Sequence, residues 1–132
     1  YTTLFRSPIF QGTLKENIVF NQEISDEQVI EAMYRFQLGE LYERLPEGLN
    51  TIVSEKGMNF SGGEKQRIAF TRLAFTQAEI LILDEATSAL DEKTEEKVLQ
   101  EVQEFTHNKL TILVTHRPKT LRFVDEIIDL NE

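Results

Sequence analysis

The sequence predicts an α/β protein: a parallel sheet with helices on its faces and a mainly helical lobe attached to it. Three observations predict it. Ile80-Leu81-Ile82-Leu83 and Leu110-Thr111-Ile112-Leu113-Val114 are short apolar runs, the second rich in β-branched residues, and such runs read as buried parallel strands. Between them Val98, Leu99, Val102 and Phe105 make one apolar stripe, the helical crossover that a parallel pair requires. Ahead of Phe60, apolar residues recur mainly at helical spacing.

In chain order, Thr13 is placed to start a turn of helix. Ser25 followed by Gln28 has the form of a capping box, and Val29, Ile30, Met33 and Phe36 then repeat at helical spacing until Gly39 offers a stop. A short helix is expected from Glu40 to Leu45, ended by Pro46 and Gly48. Ser61-Gly62-Gly63-Glu64 puts a hydroxyl three residues ahead of a carboxylate, before Ile68, Ala69, Leu73 and Ala74, so a helix begins there. Asp91 can cap the crossover helix. After Pro118 a short helix and the run Glu126–Leu130 supply a third strand, the sheet's first strands being absent from the chain.

The 132 residues allow one domain at most, and 40% hydrophobic with 28% charged residues is the balance of a packed globular protein. A net charge of −9 excludes a general nucleic-acid surface. The absence of cysteine excludes disulfides and thiolate metal sites. No apolar run approaches the roughly 20 residues that span a bilayer, so any membrane link comes through a partner segment. The chain opens at Tyr1 in sequence that already looks structured, which reads as a piece of a longer protein.

Asp84 and Glu85 follow the first apolar run, at the carboxyl edge where open parallel sheets bind ligands. An aspartate there can hold Mg²⁺ through water, and the next glutamate can orient or deprotonate an attacking water. Taken alone, the pair fits better as two acids that cap a strand and open a turn. Ser61-Gly62-Gly63 combines a helix N-terminus with glycines that admit a ligand close to the backbone, which makes an anion seat. Taken alone, it also fits an ordinary capped helix start.

Order and spacing separate these alternatives. The glycine turn, a helix, Ile80 to Glu85, Ser88-Ala89-Leu90-Asp91, then Thr115-His116-Arg117 after the next run resemble the signature motif, Walker B strand, D-loop and H-loop of ATP-binding-cassette (ABC) ATPases, in that family's order over nearly the whole chain. The resemblance implies the C-terminal part of a P-loop NTPase-like sheet with an attached helical subdomain. Residues 1–76 would form that subdomain, signature helix included, and 77–132 the C-terminal part of the RecA-like core. It also implies a head-to-tail dimer with a second ABC ATPase domain, ATP lying between them. Ser61, Gly62 and Gly63, followed by Glu64, would bind the γ-phosphate in trans, and Asp84 would serve Mg²⁺. Glu85 would act as general base, His116 would contact the γ-phosphate and the attacking water, and Asp91 would work across the interface. His107 lacks such a context and reads as a solvated loop residue.

Phe10-Gln11-Gly12-Thr13-Leu14-Lys15-Glu16-Asn17-Ile18 and Thr51-Ile52-Val53-Ser54-Glu55-Lys56-Gly57 resemble segments of exporter-type transporters. That implies docking against a transmembrane domain at the cytoplasmic face of the membrane, with Phe10 and Glu55 as transmission contacts and Leu38 to Leu45 beside them. Three features depart from the family pattern. No G-x-x-x-x-G-K-[ST] occurs in the sequence, so the chain alone is expected not to hydrolyse ATP. The Q-loop glutamine would fall near Phe5 or Arg6 and is not found there, and Gln11 downstream is not given that role. Glu64 replaces the commoner glutamine but still completes the capping box. Two other readings are a truncated, non-catalytic cassette that binds in trans, and a soluble non-transport ABC ATPase.

Overall fold

The computed structural model describes residues 9–54 and 59–130 and, for their backbone only, residues 2–4. Its main sheet has three parallel strands: β1 (Thr2–Leu4), β4 (Ile80–Asp84) and β5 (Leu110–Val114), in the order β1-β4-β5. Ile80 pairs with Leu110 and Asp84 with Val114, so the two carboxyl ends are level. β2 (Gly12–Thr13) and β3 (Ile52–Val53) form a separate two-stranded antiparallel ribbon.

The helices begin where local chemistry places them. Thr13 caps α1 (Leu14–Val19), its hydroxyl accepting from the Glu16 N–H at 3.0 Å. Ser25 and Gln28 close both bonds of a capping box on α2 (Asp26–Arg35), and α3 (Gly39–Arg44) follows. Ser61 and Glu64 do the same on α4 (Gly62–Thr71), with Ser61 N–H to Glu64 at 2.9 Å and Glu64 N–H to Ser61 Oγ at 3.1 Å. Asp91 caps α5 (Glu92–Thr106), the βαβ crossover from β4 to β5.

Two hydrophobic clusters result. One gathers Leu14, Ile18, Val29, Met33, Leu38, Leu41, Leu49, Val53 and Ile68 under α1 to α3. The other gathers Phe36, Phe70, Leu73, Leu81, Leu83, Val98, Leu99 and Val102 between the sheet and α5. α4 supplies Ile68 to the first and Phe70 to the second, and Phe36 stacks on both Phe70 and Phe105. That aromatic seam joins the two halves.

Three expectations are corrected. The third strand is β1, not Glu126–Leu130, which has no regular structure and leaves Ile127, Ile128 and Leu130 exposed. β propensity is realised only where a neighbouring strand and a packing face are available, and this run pairs with no strand among the described residues. β5 is not fully buried, because Leu110, Ile112 and Val114 face outward on an uncovered side of the sheet while Leu113 packs inward. The region before Phe60 is mainly helical as expected, with β1 and the β2–β3 ribbon set within it. Gly39 does not stop α2 but opens α3. The stop is Gln37, at φ 64°, with Leu38 N–H bonding Met33 C=O and Gln37 N–H bonding Tyr34 C=O, which is a Schellman closure. Glycine at 39 answers a different need, because a Cβ there would lie 2.5 Å from the Tyr34 ring.

Candidate functional site

Level register in a parallel pair places whatever follows the two strands side by side. Asp84 is the last residue of β4, and Glu85 extends the ladder by one bond, its N–H donating to Val114 C=O at 2.9 Å. His116 follows β5 by two residues, and its Nε2 lies 3.3 Å from Glu85 Oε1. The imidazole is 91% exposed and the glutamate 37%, so the pair stands at the mouth of the sheet edge, open to a ligand. Asp84 is half-buried just behind it. Glu85 adopts φ 51°, a left-handed conformation in a residue other than glycine, which costs about 1 kcal/mol and persists only where the surroundings hold it.

Ser88, Ala89 and Leu90 follow as a turn between Glu85 and α5, closed by Ser88 N–H to Glu85 C=O and Leu90 N–H to Thr87 C=O. Asp91 ends it, and its carboxylate accepts from Thr94 N–H at 2.8 Å and Thr94 Oγ at 3.0 Å. Those bonds hold its carboxyl below the usual range. His107 sits at the exposed end of α5, against the Glu104 carbonyl.

The glycine turn reaches the same place from the other side. Ser61 and Gly62 are exposed at the start of α4. A Cβ on Gly62 would touch the Ala89 methyl at 3.4 Å, and one on Gly63 would come within 3.1 Å of the Ala89 carbonyl oxygen. Both glycines are therefore used for close approach to the Ser88–Leu90 turn, neither having a positive φ. Burial pushes the Glu64 carboxyl up, but the Ser61 N–H and the Arg44 guanidinium, 2.6 Å away, outweigh it and leave it low. Glu64 thus ties α3 to the start of α4.

Three contributors were not read from the sequence. Gln66 reaches from α4 into the turn, accepting from Ala89 N–H at 2.8 Å and donating to Ser88 Oγ at 2.9 Å. Arg117 donates to the carbonyls of Thr87 and Leu90, and to Glu95, whose side chain is 5% exposed. The available signals were the spacing of Gln66 from Gly62 and Gly63, on one helix face, and the adjacency of Arg117 to His116.

A second surface lies on the helical half. Phe10 and Phe20 stack at 5.7 Å between ring centroids and remain 38% and 49% exposed. Asn17, fully buried, fixes the Phe10 backbone by accepting its N–H and donating to its carbonyl. The Arg72 guanidinium lies 5.0 Å from the Phe20 ring and donates to Asn17 C=O. Burial lowers its pKa to about 10. Glu55, and the Phe5 and Arg6 positions of the expected Q-loop, lie outside the described residues.

Comparison with known proteins converges on one family. Residues 4–88 match the ABC transporter family model. The chain is 40% identical over 121 residues to the uncharacterized ABC transporter ATP-binding protein YwjA of Bacillus subtilis, covering 91% of this chain and 21% of that protein. It is 41% identical over 128 residues to the mitochondrial iron-sulfur clusters transporter ATM1 of Saccharomyces cerevisiae, covering 95% of this chain and 19% of that one. A solved bacterial Atm1-family ABC exporter with ATP bound superposes with a TM-score of 0.81 at 34% identity, over 91% of this chain and 22% of that chain. The chain therefore spans about a fifth of the length of these relatives. It belongs to the ABC transporter family, as part of an ATPase domain of the exporter type.

Proposed function

We propose that this chain is the signature-to-H-loop portion of an ATP-hydrolysing domain that powers substrate export across a membrane, working as a head-to-tail dimer with a second ABC ATPase domain. The observation that carries the reading is the Glu85 carboxylate 3.3 Å from His116 at the carboxyl edge of a parallel sheet. There Glu85 takes or orients the proton of the attacking water, and His116 donates a hydrogen bond to the γ-phosphate side. Ser61, Gly62 and Gly63 offer the N-terminus of α4 to the γ-phosphate of ATP held by the partner domain, and Glu64 keeps that turn closed. Asp91 faces the partner across the interface while capping α5.

Among the described residues no three His, Asp or Glu converge as a metal cage. That suits Mg²⁺, which is commonly held by one or two carboxylates, waters and the nucleotide's own phosphates, and Asp84 is the carboxylate placed for it. When bound, the ion would neutralise charge on the phosphates. The chain has no G-x-x-x-x-G-K-[ST], so the main seat for ATP comes from elsewhere and the 132 residues alone do not turn ATP over. Nucleic acid is not a partner, given the −9 net charge.

No helix among the described residues is long and apolar enough to cross a membrane. Attachment at the cytoplasmic face runs through a transmembrane domain docking on the exposed Phe10–Phe20 pair, with Glu55, outside the described residues, as the other contact expected from the sequence. Changing Glu85→Gln in the full-length protein tests the site, since the amide keeps the size of the side chain and loses its basicity. ATP turnover should fall by about 100-fold or more while ATP binding is retained. Turnover near the unmutated rate would remove Glu85 from its role.

A further inference from the structure

We infer that Gln66 and Arg117 are positioning residues for this reaction, a two-sided clasp on the Glu85–Leu90 turn that sets the spacing of Glu85 and His116. The inference rests on the hydrolytic reading above. From the α4 side, Gln66 uses both ends of its amide. The oxygen accepts from Ala89 N–H at 2.8 Å, and the nitrogen donates to Ser88 Oγ at 2.9 Å and, more weakly, to Glu85 C=O at 3.4 Å. From the β5 side, Arg117 spans the turn, Nη1 on Thr87 C=O at 2.5 Å and Nη2 on Leu90 C=O at 2.9 Å. Glu95 holds that guanidinium in place from α5, at 2.7 Å and almost wholly buried. Bonds to a charged, forked donor are among the stronger and more directional ones available.

The consequence is geometric. Glu85 begins the clasped turn, and His116 is the residue immediately before the one that clasps it, so both members of the 3.3 Å pair are fastened to one small loop. Glu85 is also the residue in a left-handed conformation, which its surroundings must maintain, and its carbonyl accepts from Gln66 and from Ser88 N–H. Gln66 lies on the same helix face as Gly62 and Gly63, whose lack of Cβ admits Ala89. Any displacement of the start of α4 is therefore passed to Glu85 through one side chain. A displacement of even an ångström at such a group costs about 100-fold in rate.

The test uses the full-length protein. ATP turnover by the unmutated protein is measured first, and its absence would overturn the hydrolytic reading rather than the clasp. Given turnover, Gln66→Met, which keeps length and loses the hydrogen bonds, should lower kcat by about 10- to 100-fold with KM for ATP and thermal midpoint little changed. Arg117→Lys, which keeps charge and loses the fork, should act in the same direction. Because the clasp acts through Glu85, adding Gln66→Met to Glu85→Gln should cost nothing further in single-turnover rate. A Gln66→Met kcat within about twofold of the unmutated protein, or the same fold-loss in the Glu85→Gln background, would overturn it, since independent effects combine additively.

Discussion

The helical half and the sheet half of this chain are finished to different degrees. Around α1 to α3 the apolar side chains close on one another: Leu14, Val29, Met33, Leu38 and Val53 are all wholly buried. The sheet is closed on one face only. Leu81, Leu83 and Leu113 pack against α5, while on the other face Leu110, Ile112 and Val114 are 60%, 46% and 44% exposed. An apolar stripe of this kind is a surface built to be covered. The helical half therefore closes its apolar core, whereas the half holding Asp84, Glu85 and His116 leaves one apolar sheet face exposed.

Substitutions can break that contrast or sharpen it. The largest effect is expected for Leu38→Ala, which empties a wholly buried site and removes the apolar contact of the Schellman closure with Met33. Urea denaturation should show a loss of about 2–5 kcal/mol, and a loss under 1 kcal/mol would mean the helical half is not closed. A smaller effect comes from acid. The α2 box uses the neutral Gln28 side chain, whereas α4 and α5 are capped by the carboxylates of Glu64 and Asp91, both with pKa values below the ordinary range. A lowered folded pKa contributes stability that is complete above the unfolded pKa of about 4 and is lost as pH falls through the folded value. Amide protection at the first turns of α4 and α5 should thus fall before that of α2 as pH drops below about 4. Equal loss at all three would contradict the assignment. The smallest effect is expected for Ile112→Thr on the uncovered face, within about 0.5 kcal/mol for this chain alone. A cost of several kcal/mol in this chain would show that the face is covered after all.

What could be read from the sequence divides along a related line. The side-chain N-caps were legible, because Ser25 with Gln28, Ser61 with Glu64, and Asp91 with Thr94 are bonds between residues three apart. The pairing of β4 with β5 was legible as well, since a striped helix between two apolar runs leaves few alternatives. The side-by-side placement of Glu85 and His116 came with the structure, the sequence reading having assigned them only through the family resemblance. β1 was not legible, nor the β2–β3 ribbon, because strands of two or three residues are recognised by their partners, which lie tens of residues away. Gly39 was misread because a glycine near a helix end serves equally as a stop or as room for a ring, and only the position of Tyr34 decides. Gln66, Arg117 and Glu95 escaped for the same reason as β1. Each is an ordinary polar residue of a helix or loop until its partner, some 22 to 30 residues away, is folded against it.

The left-handed backbone at Glu85 has a consequence for how this position drifts under selection. Glycine or asparagine would adopt φ 51° more comfortably than glutamate, so a lineage that kept the fold but lost the need for turnover would gain stability by exchanging Glu85 for either. On the role proposed for Glu85, glutamate is the less stable choice, of the kind kept where activity outweighs stability. Related chains that carry a small or amide residue here are the ones in which to look for a cassette that has stopped hydrolysing and still binds.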